Sequence, residues 1–411
     1  MSTLDIWNNV PHPSFDSIFK VTIAYNADNH PAKVPLLMGV YRDDDSRPWV
    51  LPAIKKAVHI LSSDPDLDHE YLPIRGLPEF TDAAAKLIFG LTSPALVDGR
   101  VVSVQTLSGT GANHTGALFL SRYYPWPCTK QIYLSDPTWS HFDAIAKNVG
   151  IEPMAYPYYD PKAIALDVDG FLGTLKTAPR GSVFFLQACA HNPTGIDPTP
   201  DQWKQIAEVI ADKNHFAFFD CAYQGFASGD LDTDAWAIRY FVEKNIPLLV
   251  CQSFAKNAGL YGERVGALHM VLPNKDTIAQ VRGQLSVLQW SEISSPPCHG
   301  ARLVSFILTN ADLFSEWSRD IKTMRSRLIA MRKELHRLLT EEFHTPGNWE
   351  HIVNQVGVYC YTGLSPDQSK ALADKAHIYL LDTGRVSIAG LNSKNIRYCA
   401  ENIDKAVRGA L

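Results

Sequence analysis

Residues 246–264 read IPLLVCQSFAKNAGLYGER, and this stretch decides the fold that the sequence predicts. The apolar run 246–252 is followed by small polar residues, a pattern typical of a buried strand. Lys256 comes just after that strand, which is where open α/β sheets place their ligand sites. Taken alone, such a lysine is more often a surface residue whose stem lies along apolar surface. The remaining segments decide between these interpretations.

The bulk composition limits the class of protein. The chain has 411 residues, 46% hydrophobic and 20% charged, with a formal net charge of −5. This is an ordinary globular composition, long enough for two domains. No basic patch indicates nucleic acid or a membrane surface as a partner. No stretch approaches the roughly 20 apolar residues of a spanning helix. The first residues resemble neither a signal peptide nor a presequence, so we expect a cytoplasmic protein.

The cysteines and histidines give no sign of a metal site. None of the seven cysteines lies in a Cys-x-x-Cys pair, and the histidines lack metal-ligand spacing. Cys189, Cys221 and Cys251 fall in apolar runs. We therefore expect small buried side chains with reduced thiols, and no metal.

The middle of the chain alternates apolar runs with helical patterns. The runs at 131–134, 183–186, 216–219 and 248–251 are continuous rather than alternating. Such strands are typically buried on both faces of a mostly parallel sheet. Helical patterns are predicted near 112–123 and 201–214, and a further strand at 101–105. The fold class is therefore α/β, and residues 49–311 are predicted to form a large domain with helices flanking this sheet.

The chain ends are predicted to build a second, smaller α/β domain. Residues 312–343 read as one long amphipathic helix, and 357–361 and 386–388 give short strand signals. Residues 1–48 show no strong helix. The predicted small domain consists of 1–48 together with 312–411.

Several residues near predicted strand ends are suited to one cofactor. Ser108-Gly109-Thr110 follows a strand and opens a helix, where backbone N–H groups and the helix dipole favour an anion, although such turns are common without one. Ser253 and Arg264 are suited to bind a phosphate, and the Lys256 amine can form a Schiff base with an aldehyde. This is the combination that pyridoxal phosphate (PLP) requires.

Two further residues are suited to the ring of that cofactor. Asp220 ends an apolar run, and a carboxylate there is costly unless it is paired. A protonated pyridine nitrogen is one partner; a helix N-cap or a buried salt bridge is the ordinary alternative. Tyr223 follows three residues later and can donate to the phenolic oxygen of the ring. Asn192, in an Asn-Pro loop that is usually only a turn, can reach the same oxygen.

Trp139 and Arg385 complete the candidate set. The indole of Trp139 follows another strand end and can stack on a pyridine ring, or simply pack in the core. The guanidinium of Arg385 can bind a carboxylate through two hydrogen bonds, or form a surface salt bridge.

In order and spacing, these segments resemble the aspartate/aromatic aminotransferase family of fold-type I PLP enzymes over nearly the whole chain. The Asp-x-Ala-Tyr-Gln-Gly-Phe and Lys-Asn…Glu-Arg-Val-Gly segments are highly specific. The motifs that carry the resemblance are EYLPI (70–74), SGTG (108–111), PTW (137–139), HNPTG (191–195), DCAYQGF (220–226), SFAKN (253–257), YGERVG (261–266) and GR (384–385).

The resemblance implies a role for each matched position. Lys256 would hold PLP covalently and move protons at the substrate Cα, Asp220 would pair with the pyridinium, and Trp139 would stack on the ring. Tyr223 and Asn192 would bind the phenolic oxygen, and Arg385, near Asn192 and the backbone of Gly39, would bind the substrate α-carboxylate. The residues implied for the phosphate are Ser108, Gly109, Thr110, Ser253, Arg264 and Tyr71, the last from the partner subunit of a homodimer with shared active sites.

The sequence departs from the family in the pocket for the substrate side chain. Dicarboxylate-specific members have an arginine four residues before a Ser-Asn-Pro-Pro turn; here the turn is 294–297 and that position is Trp290. Glu292 adds a negative charge nearby, and Tyr359 replaces a frequent phenylalanine. Phe142 stands where a histidine usually supports the aspartate, with His141 one position earlier. Aspartate is therefore predicted to be a poor substrate.

Three functions remain open at this point. The first is an aminotransferase for a non-dicarboxylate amino acid, whose amino acceptor the missing arginine leaves open as well. The second is a PLP-dependent lyase, replacement, decarboxylation or cyclisation enzyme of a biosynthetic pathway. The third, a non-catalytic binding protein, is disfavoured because Lys256, Asp220, Tyr223 and Arg264 are all retained.

Overall fold

We describe the fold from a computed structural model, which covers residues 17–411 together with Trp7, Val10 and Pro11. Helices and strands alternate through the middle of the chain. The α-helices are α1 Ser17–Ala27, α2 Pro52–Ser62, α3 Pro78–Phe89, α4 Pro94–Val97, α5 Ser108–Tyr123, α6 Ser140–Asn148, α7 Val168–Thr177, α8 Pro200–Asp212, α9 Leu231–Asp234, α10 Trp236–Glu243, α11 Ile278–Ile293, α12 Cys298–Thr309, α13 Ala311–Arg337, α14 His351–Asn354, α15 Pro366–Ala376 and α16 Ile396–Val407.

Seven strands form the central sheet, and three pairs of short strands lie outside it. The strands are β1 Val34–Pro35, β2 Val101–Leu107, β3 Gln131–Asp136, β4 Glu152–Pro157, β5 Tyr159–Asp160, β6 Ala165–Leu166, β7 Val183–Gln187, β8 Phe216–Cys221, β9 Leu248–Ser253, β10 Val265–Val271, β11 Tyr359–Tyr361, β12 Ile378–Tyr379 and β13 Arg385–Ser387.

The central sheet has the order β2-β10-β9-β8-β7-β3-β4. Neighbours pair in parallel from β9 to β4, whereas β10 is antiparallel to both β9 and β2. This confirms the predicted α/β fold with a mostly parallel sheet. The sequence analysis had not identified β4 or β10.

Both faces of the sheet are buried, as the continuous apolar runs predicted. Phe184 and Phe219 pack on one face with helices such as α8 and α10, and Phe185 and Phe218 pack on the other face with α5 and α6. Successive strand residues point to opposite faces, so a strand covered on both sides is apolar throughout.

Elements from the two chain ends meet outside the central sheet. Strand β1 pairs in parallel with β12, with Val34 opposite Ile378, and β11 pairs antiparallel with β13. The long predicted helix is α13, which begins at Ala311 and continues into a π-helical turn, Leu338–Glu342. These pairings support the predicted small domain, but the division at residues 49–311 stays a prediction.

The expectation that residues 1–48 hold no strong helix is wrong, because α1 has 11 residues. Ile18, Val21, Thr22 and Ile23 are β-branched, which lowers helix propensity and weakens the sequence signal. Tertiary packing stabilises the helix instead: Ile18, Val21 and Tyr25 pack against Leu37, Tyr379 and Leu381.

The predicted buried thiols are confirmed: Cys189, Cys221 and Cys251 are buried and free. Among the described helices, none combines the length and the apolar character needed to cross a bilayer.

Candidate active site

A cavity of about 380 Å³ lies at the carboxyl ends of the parallel strands. Gln187 ends β7, Asp220 is next to last in β8, and Ser253 ends β9, so three neighbouring strands each place one polar side chain there. The ends of parallel strands in an open α/β sheet are the expected location of a ligand site. The cavity is where most of the predicted site residues meet.

One end of the cavity is suited to a phosphate. Helix α5 begins at Ser108, and Ser108, Gly109 and Thr110 of its first turn line the cavity; the first N–H groups of a helix are suited to bind an anion. The Ser108 and Ser253 hydroxyl oxygens lie 2.9 Å apart. The Arg264 guanidinium also lines the cavity, and its Nη1 donates to the carbonyl of Tyr261 at 3.0 Å. Hydroxyls, backbone N–H groups and a cation together form an anion site.

The backbone at this end has an uncommon conformation. Ser108 and Arg264 both adopt left-handed φ angles, 60° and 54°, which non-glycine residues rarely do. The two residues are joined directly, because the Ser108 N–H donates to the Arg264 carbonyl at 3.0 Å. Such backbone outliers cluster at ligand sites, where the surrounding structure has to hold them.

Asp220 also lines the cavity and is 7% exposed. Burial raises the pKa of its carboxyl to about 7, and a hydrogen bond from Asn113 opposes that rise. The buried Tyr223 phenol lines the same wall, and burial is the main cause that raises its pKa well above 10. A carboxylate so poorly solvated is stabilised by a cationic partner such as a protonated pyridine nitrogen.

The loop that bears Asn192 is fixed by side chains. The Gln187 amide donates to the Asn192 carbonyl and accepts from its N–H, both at 2.8 Å. Asp197 accepts from the N–H groups of Ala190 and His191. Burial lowers the pKa of His191 to about 3, so this imidazole is neutral. The run 191–195 is therefore a positioned loop, and the Asn192 side chain is available at the cavity wall.

Lys256 lies on the cavity floor, with its ammonium nitrogen 5.1 Å from the centre of the Tyr261 ring. Desolvation lowers the pKa of this amine; nearby Tyr359 opposes the shift and Arg264 adds to it. A depressed pKa increases the fraction of neutral amine, the form that attacks a carbonyl.

Arg385 is 4% exposed and lies beside Asn192 and Tyr359. Its Nη1 donates to Asn192 Oδ1 at 3.4 Å, its Nη2 donates to the Leu37 carbonyl at 3.1 Å, and its Cζ is 4.4 Å from the Tyr359 ring centre. Its Nε has no partner among the described residues. A buried guanidinium with unused donor capacity is suited to a carboxylate ligand.

Trp139 and His141 face the cavity, whereas Phe142 does not. Trp139 and His141 both line the cavity, with ring centres 5.0 Å apart and nearly parallel planes. Phe142 instead points into the core, where its ring centre is 3.9 Å from that of Phe185. The position that usually supports the aspartate is thus apolar and turned away from the cavity.

Three predicted site residues do not line the cavity of this chain. Tyr71 is 83% exposed and Trp290 is 64% exposed, both high for large side chains. Glu292 Oε2 lies 3.2 Å from His114 Nε2 on the neighbouring helix α5. The single chain therefore brings none of these three residues into the cavity, and the roles predicted for Tyr71, Trp290 and Glu292 stay predictions.

Other cavity residues were missed by the sequence analysis. They reach the cavity from α1, from the loop after β1, from α5 and α6, and from the ends of β7, β8 and β9; they are Ile18, Phe19, Thr22, Leu37, Met38, Asn113, His141, Gln187, Ala222 and Ala255. The one available signal was Asn113, a polar residue one turn after Gly109 in an otherwise small and apolar helix face.

The sequence profile of the family described as aminotransferase class I and II matches residues 31–403. The chain belongs to this family. It is 48% identical to "Aspartate aminotransferase, cytoplasmic" of Saccharomyces cerevisiae over 98% of this chain and 97% of that one. The solved structure of the aspartate aminotransferase from S. cerevisiae cytoplasm superimposes with a TM-score of 0.96, at 47% identity and 99% coverage of both chains.

A third relative has been solved with a cofactor bound. The aromatic-amino-acid aminotransferase from Burkholderia pseudomallei, solved covalently bound to pyridoxal phosphate, superimposes with a TM-score of 0.93. It is 36% identical, with 98% of this chain and 100% of that chain covered. The aminotransferase is therefore PLP-dependent, and the cavity fits that group: it combines an anion site, a buried carboxylate and a desolvated lysine amine.

Proposed function

We propose that this PLP-dependent aminotransferase acts on amino acids whose side chain is not a carboxylate, with aromatic or apolar side chains preferred. The observation that carries the proposal is Trp290, at the position where dicarboxylate-specific members of the family have arginine. Arginine binds a carboxylate through two parallel hydrogen bonds, whereas indole offers an apolar face and one N–H. A side-chain carboxylate would therefore lose its charged partner in the closed site.

Glu292 supports the same specificity. It lies two residues after Trp290 in helix α11 and adds a negative charge to the segment that would meet a substrate carboxylate. The Glu292 carboxylate is held within its own subunit by its contact with His114. Like charges near a bound carboxylate are unfavourable, so aspartate and glutamate are disfavoured as donors. No comparison favours the lyase or cyclisation alternative.

We assign the residues of the cavity as follows. PLP, when bound, acts as an electron sink for charge that develops at the amino acid Cα. The Lys256 amine accepts and returns the proton at that carbon. Asp220 holds the pyridine nitrogen in its protonated state, and Tyr223 and Asn192 orient the ring through its phenolic oxygen. Arg385 fixes the α-carboxylate, and Trp139 covers one face of the ring.

The phosphate end has an assignment of its own. Ser108, Gly109, Thr110, Ser253 and Arg264 bind the phosphate group. Their hydroxyls, N–H groups and guanidinium would supply hydrogen-bond donors and a positive charge to it.

We also propose that the enzyme is a homodimer with shared active sites. Tyr71 and Trp290 are exposed in the single subunit, although both belong to segments that the family uses in the partner's site. Sedimentation at micromolar concentration tests the dimer, since a monomer would leave both residues without a site.

The cytoplasm is the proposed location, supported by the name of the S. cerevisiae relative.

The substrate class is tested by single-turnover spectroscopy on the purified PLP-loaded enzyme. Conversion of the bound cofactor from its aldehyde to its amine form is followed with aspartate, glutamate, phenylalanine, tyrosine, leucine and lysine. The proposal predicts the fastest conversion with the aromatic or apolar amino acids. Faster conversion with aspartate than with phenylalanine would refute it.

A variant isolates the contribution of Trp290. Trp290→Arg is expected to raise kcat/KM for aspartate about 10- to 100-fold, because a hydrogen bond to a charged group contributes roughly 1.5–3 kcal/mol. Ser291→Arg is the matched control, since it adds the same charge one residue along the same exposed helix. Equal gains in both variants would indicate nonspecific attraction and not a restored binding site.

A further inference from the structure

Asn113 is a fully buried side chain in helix α5 that touches Asp220. Its amide nitrogen donates to Asp220 Oδ1 at 3.2 Å and to the Gly109 carbonyl at 2.9 Å. These two acceptors use both amide hydrogens. The opposite orientation would place the amide oxygen against a carboxylate and a carbonyl, so the environment fixes Asn113 as a donor.

With the amide of Asn113 oriented as a donor, its side-chain oxygen is left without a hydrogen bond from the residues that the structure describes. Asn113 Oδ1 is buried and has no hydrogen-bond partner in the described part of the chain. A buried acceptor without a partner is unfavourable, and leucine of similar size would avoid that cost. The contact with Asp220 gives a reason for an amide at this position.

The supporting group found elsewhere in the family is missing here. Phe142 occupies the position of that histidine and is fully buried, with its ring centre 5.2 Å from that of Phe218. Its ring offers no hydrogen-bond donor. Within the described residues, the side-chain hydrogen bond that acts on Asp220 comes from helix α5 instead of helix α6.

We propose that Asn113 is a positioning residue that orients the Asp220 carboxylate and keeps it ionised for the pyridine nitrogen of PLP, in place of the histidine that the family usually has at the position of Phe142. This inference rests on the role proposed above for Asp220. The amide acts through Asp220 and does not touch the reacting atoms. Since an amide does not titrate, its support is the same at every pH, whereas a histidine would add its own titration near neutrality.

The surroundings of Asp220 determine how its charge responds to pH. Its titratable neighbours Tyr223 and Cys251 are neutral, because burial, together with the charge of Asp220 itself, raises the pKa of both. The basic groups that line the same cavity are Lys256, whose pKa is lowered by burial, Arg264 and Arg385. Burial raises the pKa of Asp220 to about 7, and Asn113 opposes that rise, so loss of the amide raises the pKa further.

The test compares Asn113→Leu with wild type by equilibrium dialysis of PLP between pH 5 and 9. Asp220 must lose its proton to hold a pyridinium, so affinity declines below the pKa of Asp220. The expected result for Asn113→Leu is about tenfold weaker binding at neutral pH, with the acid limb moved to higher pH. Ser121→Ala is the matched control, because it removes another side-chain hydrogen bond of α5, the part-buried bond to the Val149 carbonyl, which does not involve Asp220.

A second readout needs no cofactor. In the PLP-free chain, the protonation midpoint of Asp220 is read from its carboxyl infrared band, assigned by its loss in Asp220→Asn. Asn113→Leu is expected to move this midpoint upward by about one pH unit, the equivalent of a tenfold change. If that variant does not fold, Asn113→Ala takes its place in both measurements.

The outcomes separate this inference from the role of Asp220. Weaker PLP binding in Asp220→Asn together with wild-type affinity and midpoint in Asn113→Leu would overturn the role of Asn113 alone. Unchanged PLP binding in Asp220→Asn would overturn both. A uniform loss of affinity at every pH, with no shift of the midpoint and an equal loss in Ser121→Ala, would mark Asn113 as merely structural and overturn the proposal.

Discussion

At the scale of single residues, the hydroxyl of Tyr359 limits which residues can replace Gly39. A Cβ added at Gly39 would lie 2.7 Å from the Tyr359 hydroxyl oxygen and 3.2 Å from Cζ of the same ring. The ring cannot move freely, since Tyr359 is buried and packs against the Arg385 guanidinium. Glycine at position 39 is therefore required by a close approach inside the cavity.

This geometry predicts a coupled pair of substitutions. Gly39→Ala is expected to lower kcat/KM for the preferred amino acid about tenfold or more, because overpacking of roughly 1–3 kcal/mol displaces the Arg385 wall. Adding Tyr359→Phe is expected to recover part of the loss, since the shortest contact disappears. Gly173→Ala is the control, because a Cβ there meets no atom within 4 Å. Equal kinetics for Gly39→Ala with and without Tyr359→Phe would contradict this account.

Which residues meet was partly predictable from the sequence. Lys256, Asp220, Ser253 and Asn192 follow apolar strands, so their common location at one sheet edge follows from the parallel sheet. Asn113 was missed because its contact with Asp220 joins residues 107 positions apart, for which no local pattern exists. Trp290 was recognised as a departure from the family, but its effect on specificity remains a prediction.

At the scale of elements, helix α8 shows why some boundaries could be predicted closely. The sequence predicted a helix at 201–214 after Thr199-Pro200, and α8 spans Pro200–Asp212. The Thr199 hydroxyl accepts from the Gln202 N–H at 3.3 Å, and the Gln202 side chain accepts from the Thr199 N–H at 2.8 Å. This capping box is local chemistry, so it is visible in sequence. Helix α1, whose β-branched residues weaken its helical pattern, depends on packing.

Removing this cap gives a stability prediction. Thr199→Ala is expected to lower the free energy of unfolding by about 1 kcal/mol, because an N–H of the first turn loses its acceptor. The midpoint of chemical denaturation measures the change. Thr323→Ala is the control, since that exposed hydroxyl bonds only to Arg319 of its own helix. A loss of stability in the control as large as in Thr199→Ala would argue against a specific capping effect.

At the scale of the whole molecule, the buried carboxyl groups link stability to pH. Burial raises the pKa of Asp220 to about 7 and that of Asp197 to about 6, against about 3.9 in an unfolded chain. A carboxyl whose folded pKa is raised favours folding below about pH 4, and this contribution is lost as pH rises through the folded pKa. Neutral buried histidines such as His191 shift stability in the opposite direction over part of this range.

Comparison of wild type with Asp220→Asn isolates the contribution of the Asp220 carboxyl to the pH dependence of stability. In the PLP-free protein, the variant is expected to be as stable as wild type near pH 4 and more stable at pH 8, where wild type has to ionise a buried carboxyl. With PLP bound, the order at pH 8 should reverse, because the carboxylate then has its partner. Melting temperatures with and without PLP measure both differences. A difference independent of pH would contradict the raised pKa.

The organisation of the whole chain followed largely from its periodicity. Continuous apolar runs predicted a sheet covered on both faces. The structure confirms this, because β7, β8 and β9 each contribute buried residues to the hydrophobic core on both faces of the sheet. The pairing of β1 with β12 joins residues more than 300 positions apart, which no local pattern specifies. The proposed homodimer could not be derived from the periodicity of one chain either, because an exposed side chain such as Tyr71 does not identify what covers it.

The most direct test of the central claim is to locate the covalent attachment of PLP. Reduction of the PLP-loaded enzyme with borohydride, followed by proteolysis and mass spectrometry, fixes the cofactor to whichever amine holds it. We predict one modified peptide per chain, with the reduced cofactor on Lys256. An unmodified Lys256, or stoichiometric labelling of a different lysine, would contradict the assignment of this cavity as the active site.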